Sequence, residues 1–275
     1  MKSKKIKLKI GIIGCGAIGS RMAQNIVKDL KDDCKLTSIF DIDASKSAKL
    51  KKSLSSKVII APTLKDLIKS SDLVVEAVNA INTKDIIKAV VSSKKSVLAM
   101  SVGKLLGANN IFKIAKKNKC SILIPSGAIA GLDAIKAAKL AGIKSISITS
   151  RKPPRGLVGN PYCLKKGIDL LKINRETLLF NGKVSEAVKA FPQNINVAAT
   201  VALAADVENL LRIKIITSPK FKTNSHEIIM IGNFGKMISR TENVACPDNP
   251  KTSYLAALSA LQTLKQYCKG TFIGT

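Results

Sequence analysis

Residues 14–19 constrain the fold of this 275-residue chain more than any other feature. They read Gly-Cys-Gly-Ala-Ile-Gly, which is the glycine pattern G-x-G-x-x-G. The segment 9–13 before them, with three isoleucines, predicts a short buried strand, and apolar residues at helical spacing predict a helix over 20–27. A glycine turn that joins a strand to a helix is typical of dinucleotide-binding α/β domains.

Each glycine of this turn has a physical role in binding a dinucleotide. Gly14 makes the sharp bend, Gly16 lets the backbone approach a pyrophosphate, and Gly19 lets the helix pack on the strand. The helix N-terminus offers unpaired N–H groups and a partial positive charge to the phosphates. We therefore predict cofactor contacts at Gly14, Gly16, Ala17, Ile18 and Gly19.

An acidic residue follows at the expected distance. A second strand is predicted over residues 36–40, and Asp41, which follows it directly, lies 22 residues after Gly19. A carboxylate at this position hydrogen-bonds the adenosine ribose hydroxyls in such folds. Asp41 favours NAD over NADP, because a 2′-phosphate would meet a like charge. Lys46 and Lys49 could partly offset that repulsion, so NADP stays an alternative.

The order of predicted elements divides the chain into two domains. Six strand-like segments alternate with helices up to residue 124, which predicts an α/β fold with a Rossmann-type doubly wound parallel sheet over 1–125. One of these helices is predicted over 43–56, and Thr63 and Thr83 are predicted to cap the two helices that follow it. Beyond it we predict a second α+β domain over 126–249, with an antiparallel sheet, for substrate binding and dimerisation. The C-terminal helix within 250–275 is expected to pack back on the first domain or on a partner subunit.

Charge and composition limit the possible partners. The net charge of +28 arises from 46 basic and 18 acidic residues, mostly lysines dispersed along the whole chain. Such a surface attracts polyanions non-specifically, but no aromatic or arginine-rich groove predicts specific nucleic-acid binding. No apolar run predicts a membrane span. The six cysteines form no C-x-x-C pair, so neither a metal site nor a disulfide framework is predicted, and we expect reduced thiols in a cytoplasm.

Two single residues have chemistry that the sequence alone leaves open. Glu76 lies towards the C-terminal end of a predicted strand over 73–78, and it could contact a ligand or satisfy backbone N–H groups of the next loop. His226 is the only histidine of the chain. An imidazole suits proton transfer near neutral pH, although a hydrogen-bonded histidine without a catalytic task is the alternative.

Several segments together resemble the L-aspartate dehydrogenase family. They are residues 14–19, 101–103, 125–134 (PSGAIAGLDA), 151–154 (RKPP), 191–200 (FPQNINVAAT), 224–227 (NSHE) and 249–253 (NPKTS). These segments extend over nearly the whole chain. The SGAIAGLDA run within 125–134 and the FPQNINVAAT run are specific to this family, whereas dehydrogenases at large share the glycine pattern of residues 14–19.

The resemblance implies an activity and several site residues. The family oxidises L-aspartate with NAD or NADP to oxaloacetate and ammonium through iminosuccinate, and it supplies iminosuccinate for NAD biosynthesis. Its catalytic histidine corresponds to His226, and two further cofactor contacts correspond to Ala128 and Asn196. Members commonly form homodimers. The chain departs from the family at Ser218-Pro219, where the family has Asp-Pro, so the loop before the histidine is expected to be held differently.

Substrate carboxylates require cations, and the basic run after residue 150 supplies them. Arg151 and Lys152 are the predicted carboxylate ligands, with Arg155 as a second choice, and Asn224 is expected to orient neighbouring groups. A solvated basic turn is the alternative. The nicotinamide is expected near 101–103 and Ala128, held by backbone groups.

Two other functions compete with this interpretation. One is a homoserine- or sugar-dehydrogenase-like enzyme. The sugar enzymes usually carry their catalytic lysine in an E-K-P run, which the corresponding residues 101–104 (Ser-Val-Gly-Lys) lack. An NAD(H)-binding redox regulator that binds DNA is the other. The basic charge favours it weakly, and the absence of a helix-turn-helix pattern disfavours it.

Overall fold

The computed structural model describes residues 7–54, 57–78, 82–192, 195–247 and 249–274, except for the side chains of 249–251. Within the described chain, two compact units are present. The first extends to Pro125 and includes Ala260–Phe272, and the second comprises Ser126–Ser259 with the residues from Ile273 onward.

The first unit contains a six-stranded parallel sheet, which confirms the predicted doubly wound fold. Its strand order is β3-β2-β1-β4-β5-β6, the order of Rossmann-type domains. All neighbouring strands pair in parallel. The strands are β1 (Leu8–Ile13), β2 (Cys34–Phe40), β3 (Ile59–Ile60), β4 (Leu73–Glu76), β5 (Ser96–Ala99) and β6 (Ile122–Leu123).

Helices connect these strands. They are α1 (Ala17–Asp29), α2 (Ala44–Ser53), α3 (Leu64–Lys69), α4 (Thr83–Ser92) and α5 (Asn109–Lys117). The Thr63 hydroxyl caps α3 as predicted, by accepting the Asp66 N–H at 3.2 Å. The prediction that Thr83 caps α4 is wrong. Thr83 is the buried first residue of the helix, and Asn82 is the N-cap. The helix predicted over 43–56 ends at Ser53, and residues 55–56 lie outside the described chain.

The core of the first unit is aliphatic, as a chain with only 4% aromatic residues favours. Strand residues Ile10, Ile12 and Leu36 and the helix residues Met22 and Ile26 are at most 2% exposed. They form one cluster with Ala260 and Leu264 of the last helix. Helices cover both faces of a parallel sheet, which explains the nearly continuous apolar strands.

The second unit contains a five-stranded sheet with the order β11-β10-β7-β9-β8. The strands are β7 (Ile143–Lys152), β8 (Thr177–Lys183), β9 (Arg212–Thr217), β10 (Asn224–Gly232) and β11 (Gly235–Asn243). The sheet is mixed and not antiparallel throughout, because β7 and β9 pair in parallel. A long connection separates these two strands in the chain, which a parallel pair requires.

Helices and a short hairpin complete the second unit. They are α6 (Leu132–Lys139), α7 (Pro161–Lys165), α8 (Val184–Ala190), α9 (Asn196–Ala205), and the strands β12 (Ala245–Cys246) and β13 (Asn249–Ser253). The C-terminal helix α10 (Tyr254–Lys269) begins in this unit, and its part from Ala260 belongs to the first. In the described residues no helix is long and apolar enough to cross a membrane.

The two faces of the five-stranded sheet differ in burial. We call the face that carries Ile148, Ile228 and Met230 the inner face, and these side chains are at most 1% exposed. Ile238 on the opposite, outer face is 59% exposed. Since strand side chains alternate between faces, the inner row of β10 continues from Ile228 to His226 and Asn224. The inner face therefore changes from apolar to polar towards one end.

Candidate functional site

The glycine turn in the first unit has the shape that a dinucleotide requires. Gly14 has a φ of +93°, and a Cβ there would lie 2.5 Å from the carbonyl oxygen of Ala77. A Cβ at Gly19 would overlap the carbonyl oxygen of Gly14, whereas a Cβ at Gly16 would meet nothing within 4 Å. Helix α1 begins after Gly16 without a side-chain cap. Open space before uncapped N–H groups fits a pyrophosphate.

Asp41 lies beside this turn and braces it. Its Oδ2 accepts the N–H of Cys15 at 2.7 Å, and its Oδ1 accepts the N–H of Asp43 at 2.9 Å. Each carboxylate oxygen can accept a further hydrogen bond, so the predicted ribose contact is compatible with this geometry. Burial and the Asp41 charge raise the pKa of Cys15 to about 12. Its thiol therefore stays neutral and fills space inside the turn.

The buried Glu76 satisfies backbone donors at the carboxyl ends of β4 and β5. It accepts the N–H groups of Val78, Met100 and Ser101 at 3.0–3.1 Å and the Ser101 hydroxyl at 2.9 Å. Burial raises the pKa of Glu76, while these donors act in the opposite direction. Of the two interpretations that the sequence left open, this geometry supports a structural role. The predicted nicotinamide segment 101–103 starts at Ser101 and is thereby held.

Replacing Glu76 with glutamine should destabilise the protein by about 2–4 kcal/mol, because an amide N–H₂ would face backbone donors that now meet a carboxylate. Thermal or urea unfolding would measure the loss. Asp29→Asn at the exposed end of α1 is the matched control and should change the stability little. An equally small effect of Glu76→Gln would contradict this structural role.

His226 lies on the inner face of the second sheet and is 3% exposed. Its Nδ1 is 2.9 Å from the hydroxyl of Ser150, which faces it across β7. Burial, and secondly the charge of Lys152, lower the pKa of His226 to about 3. The imidazole is therefore neutral at physiological pH. In the described chain only Nδ1 of the imidazole is hydrogen-bonded, and His226 is not among the residues that line the cavity described below.

The loop that contains Ala128 is hydrogen-bonded to β11, the strand that pairs with the strand of His226. The Ala128 carbonyl accepts the Thr241 hydroxyl at 2.7 Å and the Asn243 side-chain amide at 3.1 Å. Thr241 pairs directly with His226 between β11 and β10. Opposite residues of an antiparallel pair share a face, so the loop and the imidazole adjoin the same part of the inner face.

Asn196 is the first residue of α9, and Val197 follows it. A Cβ on Gly127, which precedes Ala128, would lie 3.8 Å from a methyl group of Val197. The predicted cofactor contacts Ala128 and Asn196 are thereby near each other in one unit. Gln193 and Asn194 of the same family motif lie outside the described residues.

A cavity of about 210 Å³ opens at the polar end of the inner face. The predicted residues Lys152 and Asn224 line it, together with Arg155. The lining also includes Lys222, Thr223 and Asn243, for which the sequence provides no distinguishing signal. Lys152 is 7% exposed, and burial lowers its pKa to about 8. No side chain that lines the cavity is acidic.

Arg151 does not join this group. It is adjacent to Lys152 in β7 and so projects to the outer face, where its guanidinium is 3.5 Å from the carboxylate of Glu227. Its predicted role as a carboxylate ligand therefore has no support from the geometry. Strand alternation explains the difference, since only one of two neighbouring strand residues can face the histidine.

The loop at Ser218-Pro219, where the chain departs from the family, forms a hydrogen-bonded turn. The Ser218 hydroxyl accepts the N–H of Lys220 at 3.2 Å, and the Ser218 carbonyl accepts the N–H of Phe221 at 3.1 Å. Ser218 is 2% exposed. A short serine thus anchors this loop from its buried end.

Two protein-family models match the chain. The model described as the NAD binding domain of homoserine dehydrogenase matches residues 14–125. The model described as aspartate dehydrogenase, C-terminal, matches residues 133–267. The first match contains the glycine turn and Asp41, and the second contains Lys152, Asn224 and His226.

Individual proteins agree with these matches. The chain is 44% identical over 271 residues to an L-aspartate dehydrogenase of Methanosarcina mazei, which covers 98% of this chain and 100% of that protein. Among solved structures it is similar to aspartate dehydrogenase from Thermotoga maritima, with a TM-score of 0.69 and 21% identity. The match covers 96% of this chain and 97% of that chain. It is also similar to a protein from gentamicin A biosynthesis in complex with NAD, with a TM-score of 0.55, 13% identity and coverage of 98% and 88%.

The two solved structures share the fold with this chain, and the full-length identity to the archaeal enzyme shows its family. A turn that fits a dinucleotide and a family match to an NAD binding domain identify the cofactor as NAD. The chain therefore belongs to the L-aspartate dehydrogenase family and is an NAD-dependent oxidoreductase.

Proposed function

We propose that this protein oxidises L-aspartate with NAD⁺ to iminosuccinate, which water then converts to oxaloacetate and ammonium. One observation carries the proposal. A buried neutral histidine lies two residues along β10 from Asn224, which lines a cavity with basic walls and no acidic lining residue. Such a cavity attracts an anionic substrate to the side of a group that can transfer protons.

The buried end of the cavity would bind the α-carboxylate. Lys152 supplies an ammonium group there, and in the described residues no carboxylate pairs with it. The side-chain amides of Asn224 and Asn243 offer further donors, although Asn243 already donates to Ala128. A carboxylate held at Lys152 would bring the substrate Cα towards His226, since both residues share the inner face.

His226 would handle the proton of the reaction. Oxidation removes a hydride from Cα and a proton from the amine nitrogen, and the electron pair of the N–H bond forms the C=N bond. Nε2 of the neutral imidazole can accept that proton while the Ser150 hydroxyl holds Nδ1. The carboxylates of a bound substrate would offset the Lys152 charge and thereby raise the basicity of the imidazole. The protonated imidazole could then return the proton to the leaving nitrogen after water adds to the imine.

When bound, NAD⁺ supplies the hydride acceptor. The backbone of the glycine turn, Gly14, Gly16, Ala17, Ile18 and Gly19, would hold the pyrophosphate, and the Asp41 carboxylate would bind the ribose and disfavour a 2′-phosphate. Ala128 and Asn196 are proposed as further cofactor contacts on the strength of the family resemblance.

The family resemblance also supports a wider role. We propose that the protein acts as a homodimer in the cytoplasm and that the second unit carries the substrate. Its iminosuccinate would feed NAD biosynthesis.

Formation of NADH tests the proposal. The purified protein with NAD⁺ should produce NADH with L-aspartate and not with homoserine, glutamate or malate. An NAD(H)-binding regulator would bind NADH and oxidise none of these compounds. A dehydrogenase with another substrate would oxidise a different one, and either result would overturn the assignment.

The alkaline limit of anion binding should reflect Lys152. Its pKa is about 8 in the folded protein, so the ammonium loses its proton as the pH rises through 8. Succinate keeps two negative charges over that range, so its inhibition constant should increase about tenfold from pH 7 to pH 9 if the ammonium is required. Competitive inhibition at several pH values measures this change.

Lys152→Arg provides the control for this pH dependence, because a guanidinium stays protonated throughout the range. The variant should lose the increase above pH 8 whatever its absolute affinity for succinate. A wild-type inhibition constant that does not change between pH 7 and pH 9 would exclude Lys152 as the titrating ligand.

A further inference from the structure

Two exposed cations stand at the mouth of the cavity, apart from the buried Lys152. Arg155 belongs to the short 3₁₀ turn Pro154–Gly156, which follows β7. Lys222 belongs to the loop between β9 and β10. Both side chains line the cavity, and neither is paired with a carboxylate in the described chain. Two different loops therefore direct positive charge to one opening.

Both loops are internally braced. In the first, the N–H of Gly156 donates to the Pro153 carbonyl at 3.0 Å, and the N–H of Leu157, which is 2% exposed, donates to Pro154 at 2.9 Å. In the second, the turn at Ser218 precedes Lys222. Backbones held in this way keep the two cations close to the cavity before a ligand arrives, which lowers the entropic cost of binding.

The cavity thus has two tiers of positive charge. The buried tier, Lys152 with its neighbouring amides, can satisfy one carboxylate. A ligand with one carboxylate would leave the charges of Arg155 and Lys222 unmatched, whereas a ligand with two carboxylates would neutralise the second tier as well. A guanidinium and an ammonium together suit a carboxylate, because the guanidinium donates a planar pair of hydrogen bonds.

We propose that Arg155 and Lys222 bind the side-chain carboxylate of the substrate and so restrict the enzyme to dicarboxylates. This inference rests on the proposed function, since it assigns the second carboxylate of the same substrate. It adds two specificity-determining residues, one of which, Lys222, no motif in the sequence singles out.

The variants Lys222→Met and Arg155→Met test the inference. Each should raise the KM for L-aspartate about tenfold, and the double variant about a hundredfold, with a much smaller change in kcat. Lys220→Met is the matched control, since Lys220 is an exposed lysine of the same loop outside the cavity lining. It should leave both constants unchanged. KM values within twofold of wild type in the double variant would overturn the inference.

Ligand binding separates this inference from the proposed reaction. In the presence of NAD⁺, succinate should raise the melting temperature of the wild-type protein more than butyrate does. The double variant should lose that difference. Wild-type protein that binds succinate selectively but forms no NADH from aspartate would contradict the proposed function and support the inference. Equal effects of succinate and butyrate on wild-type protein would contradict the inference, even if aspartate is oxidised.

Discussion

Alanine in place of His226 should lower kcat for L-aspartate oxidation by about 10²–10⁴-fold and leave the affinity for NAD nearly unchanged. The reason is that the imidazole is the only group on the polar end of the inner face that is neutral, titratable and free at one nitrogen in the described residues. The glycine turn, which would bind the pyrophosphate, belongs to the other unit. Steady-state kinetics and an NAD titration measure the two quantities.

Controls separate chemistry from folding in this experiment. His226 is buried, so its truncation leaves a small void, and the melting temperature of the variant must be compared with wild type. Ser150→Ala keeps the imidazole and removes only the partner of Nδ1, so it should reduce kcat much less than His226→Ala. Turnover by a folded His226→Ala variant at the wild-type rate would remove the histidine from the mechanism.

Alanine substitutions at two positions of the glycine turn should have different effects: Gly19→Ala should reduce stability, and Gly16→Ala should reduce the affinity for NAD. A Cβ at Gly19 would overlap the carbonyl oxygen of Gly14, so Gly19→Ala should cost about 3 kcal/mol of stability or more. Gly16 has φ −72° and ψ −168°, which alanine adopts readily, and a Cβ there meets nothing within 4 Å. Gly16→Ala should therefore fold normally.

The methyl group that Gly16→Ala introduces would instead occupy the space proposed for the pyrophosphate. This substitution should therefore weaken NAD binding by about tenfold or more. Chemical unfolding and NAD titration of both variants give the comparison, and each variant is the control for the other. A Gly16→Ala protein with wild-type NAD affinity would show that the turn does not hold the phosphates.

The local pattern of residues predicted much of the first unit. The glycine turn, the strand that ends in Asp41 and the apolar strands each depend on short stretches of chain, and their burial follows from a parallel sheet covered on both faces. The capping threonine at position 63 was equally local. Thr83 was misplaced by one residue, because Asn82 is the N-cap and local sequence patterns locate a helix end only to within a residue or two.

The residues of the second unit show where such reasoning ends. Arg151 and Lys152 are equivalent as sequence, yet only Lys152 shares a face with His226. The mixed sheet and the undetected strand β8 depend on pairing between segments that are distant in the chain. Ser150, Thr241 and Lys222 have no motif of their own, and strand pairing or loop position alone brings them to the site.

By itself, the sequence determined that a glycine turn, an acidic strand end and a single histidine are present, and the family motifs determined what chemistry they imply. The tertiary structure decided which cations accompany that histidine, that Glu76 binds backbone donors, and that the 128 loop lies beside the imidazole. The physical reason is that residue type sets what a side chain can do. Strand register and alternation set which side chains meet, and these depend on contacts across the whole sheet.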